Sequence, residues 1–461
     1  MLRTIFIEST YLAASILFIL GLRSLTRTEG AQRGMQQAMA GMLLAIIGTL
    51  VNHNIVDYRW IIVGLIAGSV LGYPLGAMVQ MTAIPQAIAA SHMFGAIAAT
   101  LVGVAEYYNS AGNVSSGTML ALGFETVLGA LTITGSFMAF GKLQGIVIDR
   151  PLTFRGQNAL NLSLFAATLA IFGYLVVAPA HPQLFYAMLG LSLVIGVSMV
   201  LPIGGADMPV VISLLNSYAG LASAATGFVI GNNVLIIAGG LGGASGFLLS
   251  ILMSKAMNRS FANVLFGAFG APAGAAAGKA VTTGLTVHPI SAEDAAMRLA
   301  YAGEVIIVPG YGMAVAQSQH QVRELAEQIE KRGGTVKYAI HPVAGRMPGH
   351  MNVLLAEANV PYERLYDMDE INAEFDHADV ALVIGANDVV NPAARTDPAS
   401  PIYGMPILNA DHAKSIIVLK RGMNPGFAGI ENELFYDQKT SMLFGDAKAS
   451  LTKLVAEVKN V

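Results

Sequence analysis

The sequence has no cysteine among its 461 residues. Disulfide scaffolds, thiolate zinc sites, iron–sulfur clusters and cysteine nucleophiles are therefore excluded, and no metal site is expected. Charge is also scarce. Asp, Glu, Lys and Arg make up 12% of the chain, against roughly 25% in a soluble domain. The formal net charge is −3, so no basic surface is offered and no nucleic-acid partner is expected. What is abundant is apolar: 54% of residues are hydrophobic and the mean hydropathy is +0.59. A disordered chain cannot have that composition.

The few charges are unevenly placed. Residues 1–260 hold 17 of the 55, and residues 261–461 hold the other 38. From Gly156 to Ser254 the only charged residue is Asp207. A soluble core of that length needs a charged surface; a membrane bundle does not. Residues 1–260 are therefore read as a transmembrane domain, 261–290 as a Gly/Ala-rich linker and 291–461 as a soluble domain. The first part contains about nine apolar runs, at 5–22, 35–51, 60–79, 84–105, 118–141, 159–178, 183–201, 209–230 and 233–254. Each is near the ~20 residues that a bilayer requires. A cleaved signal peptide is not expected, because the first run lacks a basic leader and no polar mature domain follows it. Nine spans put the two ends on opposite sides. One side collects Arg23, Arg27, Arg33, Lys142, Arg150, Arg155, Lys255 and Arg259, and the other only Arg3 and Arg59. The positive-inside rule then places the C-terminal domain in the cytoplasm.

Polar residues inside the apolar runs are the first candidates for function. His92, Glu125, Asp207 and Asn216 interrupt otherwise apolar sequence. Ionisable groups at membrane depth are costly and mark ion or proton paths. An imidazole titrates near neutral pH, so His92 suits a proton relay, with a structural hydrogen bond as the alternative. Asn216 suits an interhelical bond as well as it suits a functional role. Glu125 either lines a wet cavity or packs as a protonated acid. Asp207 follows Pro202 and two glycines and is expected at a membrane edge. The cluster Gly239, Gly240, Gly242, Gly243 and Gly246 lies inside an apolar run. It reads as a close helix–helix contact rather than a phosphate loop.

In the soluble part, strand-like runs alternate with helical ones. Strands are expected at 304–308, 336–340, 379–384, 415–420 and about 441–444, with a final helix at about 446–459. That alternation predicts a doubly wound parallel sheet of Rossmann type. Ser291 to Asp294 reads as a capped helix start. Gly310, Tyr311, Gly312, Met313, Ala314 and Val315 follow the first strand and open a helix expected to reach Arg332. This is the context a dinucleotide fingerprint requires: tight turn, close backbone approach to a diphosphate, helix N-terminus. The second strand ends Tyr338-Ala339-Ile340-His341, without the acid that binds the ribose diol of NAD. Lys420 and Arg421 close a later strand instead, and adjacent cations suit a 2′-phosphate. These residues favour NADP over NAD.

Longer motifs carry a family resemblance. The run from Pro309 to Gln317, the run from His341 to Leu355 and the run from Val383 to Pro392 resemble the beta subunit of proton-translocating NAD(P) transhydrogenase. In the membrane part so do Gly204 to Val211 and Leu215 to Tyr218. The resemblance implies hydride exchange between NADH and NADP+ coupled to inward proton movement. It implies NADP(H) on this chain, NAD(H) on a partner alpha subunit, a homodimer of alpha–beta units, and a bacterial inner membrane. It further implies that His92 lies on the proton path with Asn216 as its companion, and that Asp207 faces the NADP(H) domain. Gly310 and Gly312 match the diphosphate loop, Arg346 a phosphate-binding arginine, Asp388 an acid near the nicotinamide, and Lys420 with Arg421 the 2′-phosphate clamp. Gly422, Pro425 and Phe427 depart from the family pattern in the loop that follows. The competing class is an ion channel or transporter whose dinucleotide domain only regulates it.

Overall fold

The computed structural model describes residues 2–25, 30–51, 58–110, 114–148, 152–204, 207–257, 261, 286–347, 349–400, 402–426 and 428–461. Most of the expected linker, including Lys279, thus lies outside the described residues, as do Arg27, Arg150, Arg259, Gly205, Ala206, Pro348 and Phe427. The chain divides into two compact units; the main segment of the first ends at Ile251 and the second runs to Val461.

Long helices dominate the N-terminal part: α1 Leu2–Leu25, α2 Ala31–Leu50, α3 Arg59–Ala77, α4 Ile84–Asn109, α5 Ser116–Leu143, α6 Gln157–Val177, α7 Pro182–Val200, α8 Met208–Ile230 and α9 Asn233–Ala256. Each matches one apolar run of the sequence. Among the described residues, eight of them are long and apolar enough to cross a membrane. The one that falls short is α2, and its first two turns show why: they carry Gln32, Arg33, Gln36 and Gln37.

The helices α5 and α8 are the most buried of the set, and α5 packs against α4, α6, α7 and α8. Small residues set the closest crossings. A Cβ added at Gly239 of α9 would lie 2.5 Å from the Ala224 nitrogen of α8, and one at Gly246 would lie 2.8 Å from the Ser217 nitrogen. The Ser217 hydroxyl donates to the Gly243 carbonyl at 2.7 Å. The glycine cluster of α9 is therefore a packing face, as expected. The α8–α9 turn is made by Gly231, at φ 66°, and by Asn232, whose Oδ1 accepts the Leu235 N–H at 3.1 Å.

The C-terminal part is built on six strands: β1 Glu304–Pro309, β2 Thr335–Ile340, β3 Leu365–Asp367, β4 Val380–Ile384, β5 Ser415–Lys420 and β6 Thr440–Phe444. They form one sheet in the order β3-β2-β1-β4-β5-β6, and every pair is parallel. This is the Rossmann order, with its switch point between β1 and β4. Both faces are covered, so the strands read as unbroken apolar runs: all five residues of β4 are buried. Helix Ala292–Ala300 begins as expected, with the Ser291 hydroxyl accepting the Asp294 N–H at 3.1 Å. Helix Ala447–Asn460 is capped by Asp446, whose carboxylate accepts from Lys448 N and Ala449 N.

Two details differ from the sequence reading. β3 was not expected; it has three residues and none of them is fully buried, so it leaves no apolar run to detect. The helix after β1 is not continuous to Arg332. It runs Tyr311–Val315, breaks at Gln317 (φ 47°) and resumes as Gln319–Lys331.

Candidate functional site

The fingerprint glycines sit at the switch point between β1 and β4. Gly310 N–H donates to the Ile384 carbonyl at 2.9 Å, and Gly312 N–H to the Gly385 carbonyl at 2.9 Å. A Cβ at Gly310 would lie 2.5 Å from the Gly385 oxygen, and one at Gly312 would lie 2.7 Å from the Gly385 Cα. Gly385 itself has φ +63°, and a Cβ there would run into the Gly312 Cα. The close approach that demands glycine here is therefore between the two loops. The sequence reading assigned it to a diphosphate. Met313 and Ala314 are fully buried, which limits them to main-chain contact with a ligand, while Tyr311 is half-buried and Val315 exposed.

The Lys-Arg pair closes β5. Arg421 is exposed. The Lys420 ammonium donates to the Asn424 carbonyl at 2.5 Å and stands 4.7 Å from the centre of the Phe435 ring. Burial pulls Lys420 below its ordinary pKa, and the Asp388 carboxylate partly offsets this. The loop after Arg421 folds back onto the segment after β4. Ala428 N–H donates to Asp388 Oδ2 at 3.0 Å. Oriented by its donors, the Asn387 amide oxygen accepts the Gly426 N–H at 2.6 Å and Lys420 Nζ at 3.2 Å. Asn432 Nδ2 donates to the Asn387 carbonyl at 2.9 Å, and Asn391 Nδ2 to the Glu431 carbonyl at 3.0 Å. Lys420 and Asp388, 32 positions apart in sequence, thus share one polar cluster. The loop is tied down there by main-chain groups, so the departures at Gly422 and Pro425 remove none of these bonds.

Two buried histidines shape the loop after β2. His341 Nδ1 accepts the Val343 N–H at 3.2 Å, which leaves Nε2 as the donor to the Pro406 carbonyl at 2.8 Å. Burial pushes His341 down to about 4. His350 Nδ1 accepts the Arg346 N–H at 3.1 Å. Burial, reinforced by the Arg346 charge, pushes His350 down to about 4 as well. The Arg346 guanidinium lies 4.6 Å from the centre of the Tyr311 ring. This stacking joins the β1 loop to the β2 loop. β2 ends without an acid, as the sequence indicated.

In the helical part, His92 of α4 lies within hydrogen-bonding reach of the Asn216 side chain of α8. His92 Nδ1 is buried without a partner. Asn216 rests over α9, where a Cβ at Gly246 would lie 2.9 Å from its Nδ2. Glu125 of α5 is fully buried and accepts the Thr226 hydroxyl of α8 at 2.7 Å. Gly103 of α4 makes room for that carboxyl, 3.1 Å from where its Cβ would be. Asp207 is the N-cap residue of α8. The sequence reading missed Thr226, because a threonine in an apolar helix carries no signal until its partner across the bundle is known. It also missed Lys142, whose buried ammonium donates to the Leu201 and Ile203 carbonyls at 2.6 Å each. Counted only as a loop charge, Lys142 in fact caps the end of α7. Its burial, to 2% exposure, is seen only in the fold.

Apolar helices of membrane-spanning length in one chain with a Rossmann sheet define a membrane protein of the dinucleotide-handling class. The comparisons are narrower. A family model described as NAD(P) transhydrogenase beta subunit matches residues 7–457. The NAD(P) transhydrogenase subunit beta of Rhodospirillum rubrum is 48% identical over 459 residues, covering 98% of each chain. A subunit beta from a named strain of the same organism matches with the same identity and coverage. The chain belongs to the NAD(P) transhydrogenase beta subunit family.

Proposed function

We propose that this chain binds NADP(H) and conducts protons as the beta subunit of a pumping transhydrogenase, coupling hydride exchange between NADH and NADP+ to inward proton movement. NAD(H) is held by a partner alpha subunit, with which this chain is active. The observation that carries the proton part is a string of polar stations along α8. Asp207, Asn216 with His92, and Thr226 with Glu125 lie 9 and 10 residues apart. At 1.5 Å per residue these intervals are about 14 and 15 Å, and their sum is close to the ~30 Å of a hydrocarbon core. No direct hydrogen bond spans such an interval, and nine residues make about 2.5 turns, which turns Asp207 to the face of α8 opposite Asn216, so passage between them requires water or groups of the neighbouring helices. His92, with its unpartnered Nδ1, is the station that can load and release a proton near neutral pH.

The residues of the C-terminal domain fit NADP(H). Lys420 and Arg421 meet the 2′-phosphate at the carboxyl end of β5, Arg346 meets the diphosphate, and Asp388 lies toward the nicotinamide. The loop from Gly310 to Val315 contributes backbone and the rigid Tyr311 ring. The nicotinamides supply the hydride chemistry when bound. The chain's part is to orient them, exclude water and alter NADP(H) affinity as a proton passes. One charge moving through 100 mV is worth about 2.3 kcal/mol, enough to shift a binding equilibrium more than tenfold. Functionally, residues 1–260 form the proton-conducting part, 261–290 the tether and 291–461 the nucleotide part. The Lys and Arg excess on one set of loops supports a cytoplasmic C-terminal domain, and a bacterial inner membrane rests on the family resemblance. A dimer of alpha–beta units rests on the family resemblance alone.

The test is reconstitution. Vesicles holding this chain with an alpha subunit are expected to move protons while reducing an NAD+ analogue with NADPH; the chain alone is expected to do neither. Exchange without proton movement would overturn the coupling. Proton movement without exchange would favour a nucleotide-regulated transporter.

A further inference from the structure

His350 is 1% exposed and opens helix His350–Glu357, which Met351, Leu354 and Leu355 anchor in the core. Because its Nδ1 accepts the Arg346 N–H, the neutral ring carries its proton on Nε2. That Nε2 is buried and has no acceptor among the described residues. The preceding turn is wrapped around the imidazole: Gly345 has φ +104°, and a Cβ there would lie 2.7 Å from the His350 Cβ. Arg346 is therefore held at two points. His350 fixes its backbone, and Tyr311 carries its guanidinium at 4.6 Å. The imidazole is itself 6.4 Å from the Tyr311 ring centre, so donor, cation and aromatic face converge at the β1 and β2 loops. A buried donor without an acceptor is destabilising, and natural sites keep one where a ligand completes it.

We propose that His350 is a positioning residue of the dinucleotide site, which aims Arg346 at the diphosphate bridge and gives its own Nε2–H to an oxygen of the bound dinucleotide. This deepens the NADP(H) reading above and rests on it. Arg346 without His350 would keep its charge and its contact with Tyr311 and lose the bond that orients its backbone.

The test uses the full chain in lipid nanodiscs and two ligands, NADP+ and adenosine 2′-monophosphate, which has the 2′-phosphate and no diphosphate bridge. His350→Ala is expected to weaken NADP+ about tenfold or more, since charge-assisted and buried hydrogen bonds are lost together. Adenosine 2′-monophosphate is expected to bind as it does to the unmodified chain. The double variant with Arg346→Ala is expected to lose less NADP+ affinity than the sum of the two single losses, because His350 acts partly through Arg346 and partly through its own bond. His350→Gln, which offers an acceptor and a donor in similar places, is expected to restore most of the affinity. Equal losses for both ligands, additive losses in the double variant, or a Gln variant as weak as the Ala variant would each overturn the proposal. An unmodified chain that fails to prefer NADP+ over NAD+ would instead sink the NADP(H) reading beneath it.

Discussion

Lys420 shows how much a single residue is tuned by its surroundings. Its ammonium is partly desolvated, held over Phe435, and bonded to a carbonyl at 2.5 Å. Burial lowers its pKa, while Asp388 favours its charge. Such a cation gains most from a dianionic ligand group. Replacing Lys420 and Arg421 together by Ala is expected to cost NADP+ affinity by roughly 1.5–3 kcal/mol per lost charge-assisted bond, and to leave NAD+ affinity nearly unchanged. Calorimetry with both nucleotides checks this, and equal losses would remove the pair from the 2′-phosphate site. These two residues were legible in the sequence because charge at the end of an apolar strand is conspicuous. His92, Glu125, Asn216 and Asp207 were legible for the same reason: each interrupts an apolar run. The partner residues were not. Thr226 and His350 acquire meaning only through contacts with Glu125 and Arg346, and no local pattern encodes those contacts.

At the scale of elements, periodicity and glycine carried the reading, and periodicity failed where tertiary packing took over. The doubly wound parallel sheet could be anticipated from alternation, but β3 could not, since an edge strand of three residues buries too little to leave a pattern. The helix after β1 reads as continuous, yet Gln317 at φ 47° divides it. The β1 glycines also let the β1 and β4 loops interlock, a contact that no local pattern encodes. Gly385 is the sharpest case, because positive φ and close backbone contact both exclude a side chain there. Gly385→Ala is expected to destabilise the C-terminal domain by about 1–3 kcal/mol through overpacking, with strain at positive φ adding to that. It is also expected to weaken NADP+ binding, because the loop it displaces leads into Asn387 and Asp388. Denaturant unfolding of the chain, followed by nucleotide titration, measures both effects. Unchanged stability would show that the two loops part easily.

For the whole molecule, the proposed function requires that proton passage in an apolar bundle alter a nucleotide site carried on a separate compact unit. The helical unit offers only a few titratable groups at depth, and they differ in kind. Glu125 is fully buried against Thr226 and Gly103, a setting suited to holding a neutral acid. His92 is different: Asn216 is its hydrogen-bonding neighbour, its Nδ1 has no partner, and its ring can bind a proton and lose it again. Coupling requires that one protonation state of the bundle favour one binding state of the nucleotide domain. His92→Ala is therefore expected to leave NADP+ binding to the chain intact and to abolish proton movement in vesicles that contain the alpha subunit, with NADPH-driven reduction of an NAD+ analogue slowed in parallel. His92→Asn keeps a hydrogen-bonding group for Asn216 but cannot titrate, and it is expected to behave like the Ala variant. Pumping by the Asn variant at the unmodified rate would mean that His92 serves by hydrogen bonding alone, and the proton-carrying station would then have to be Glu125 or Asp207.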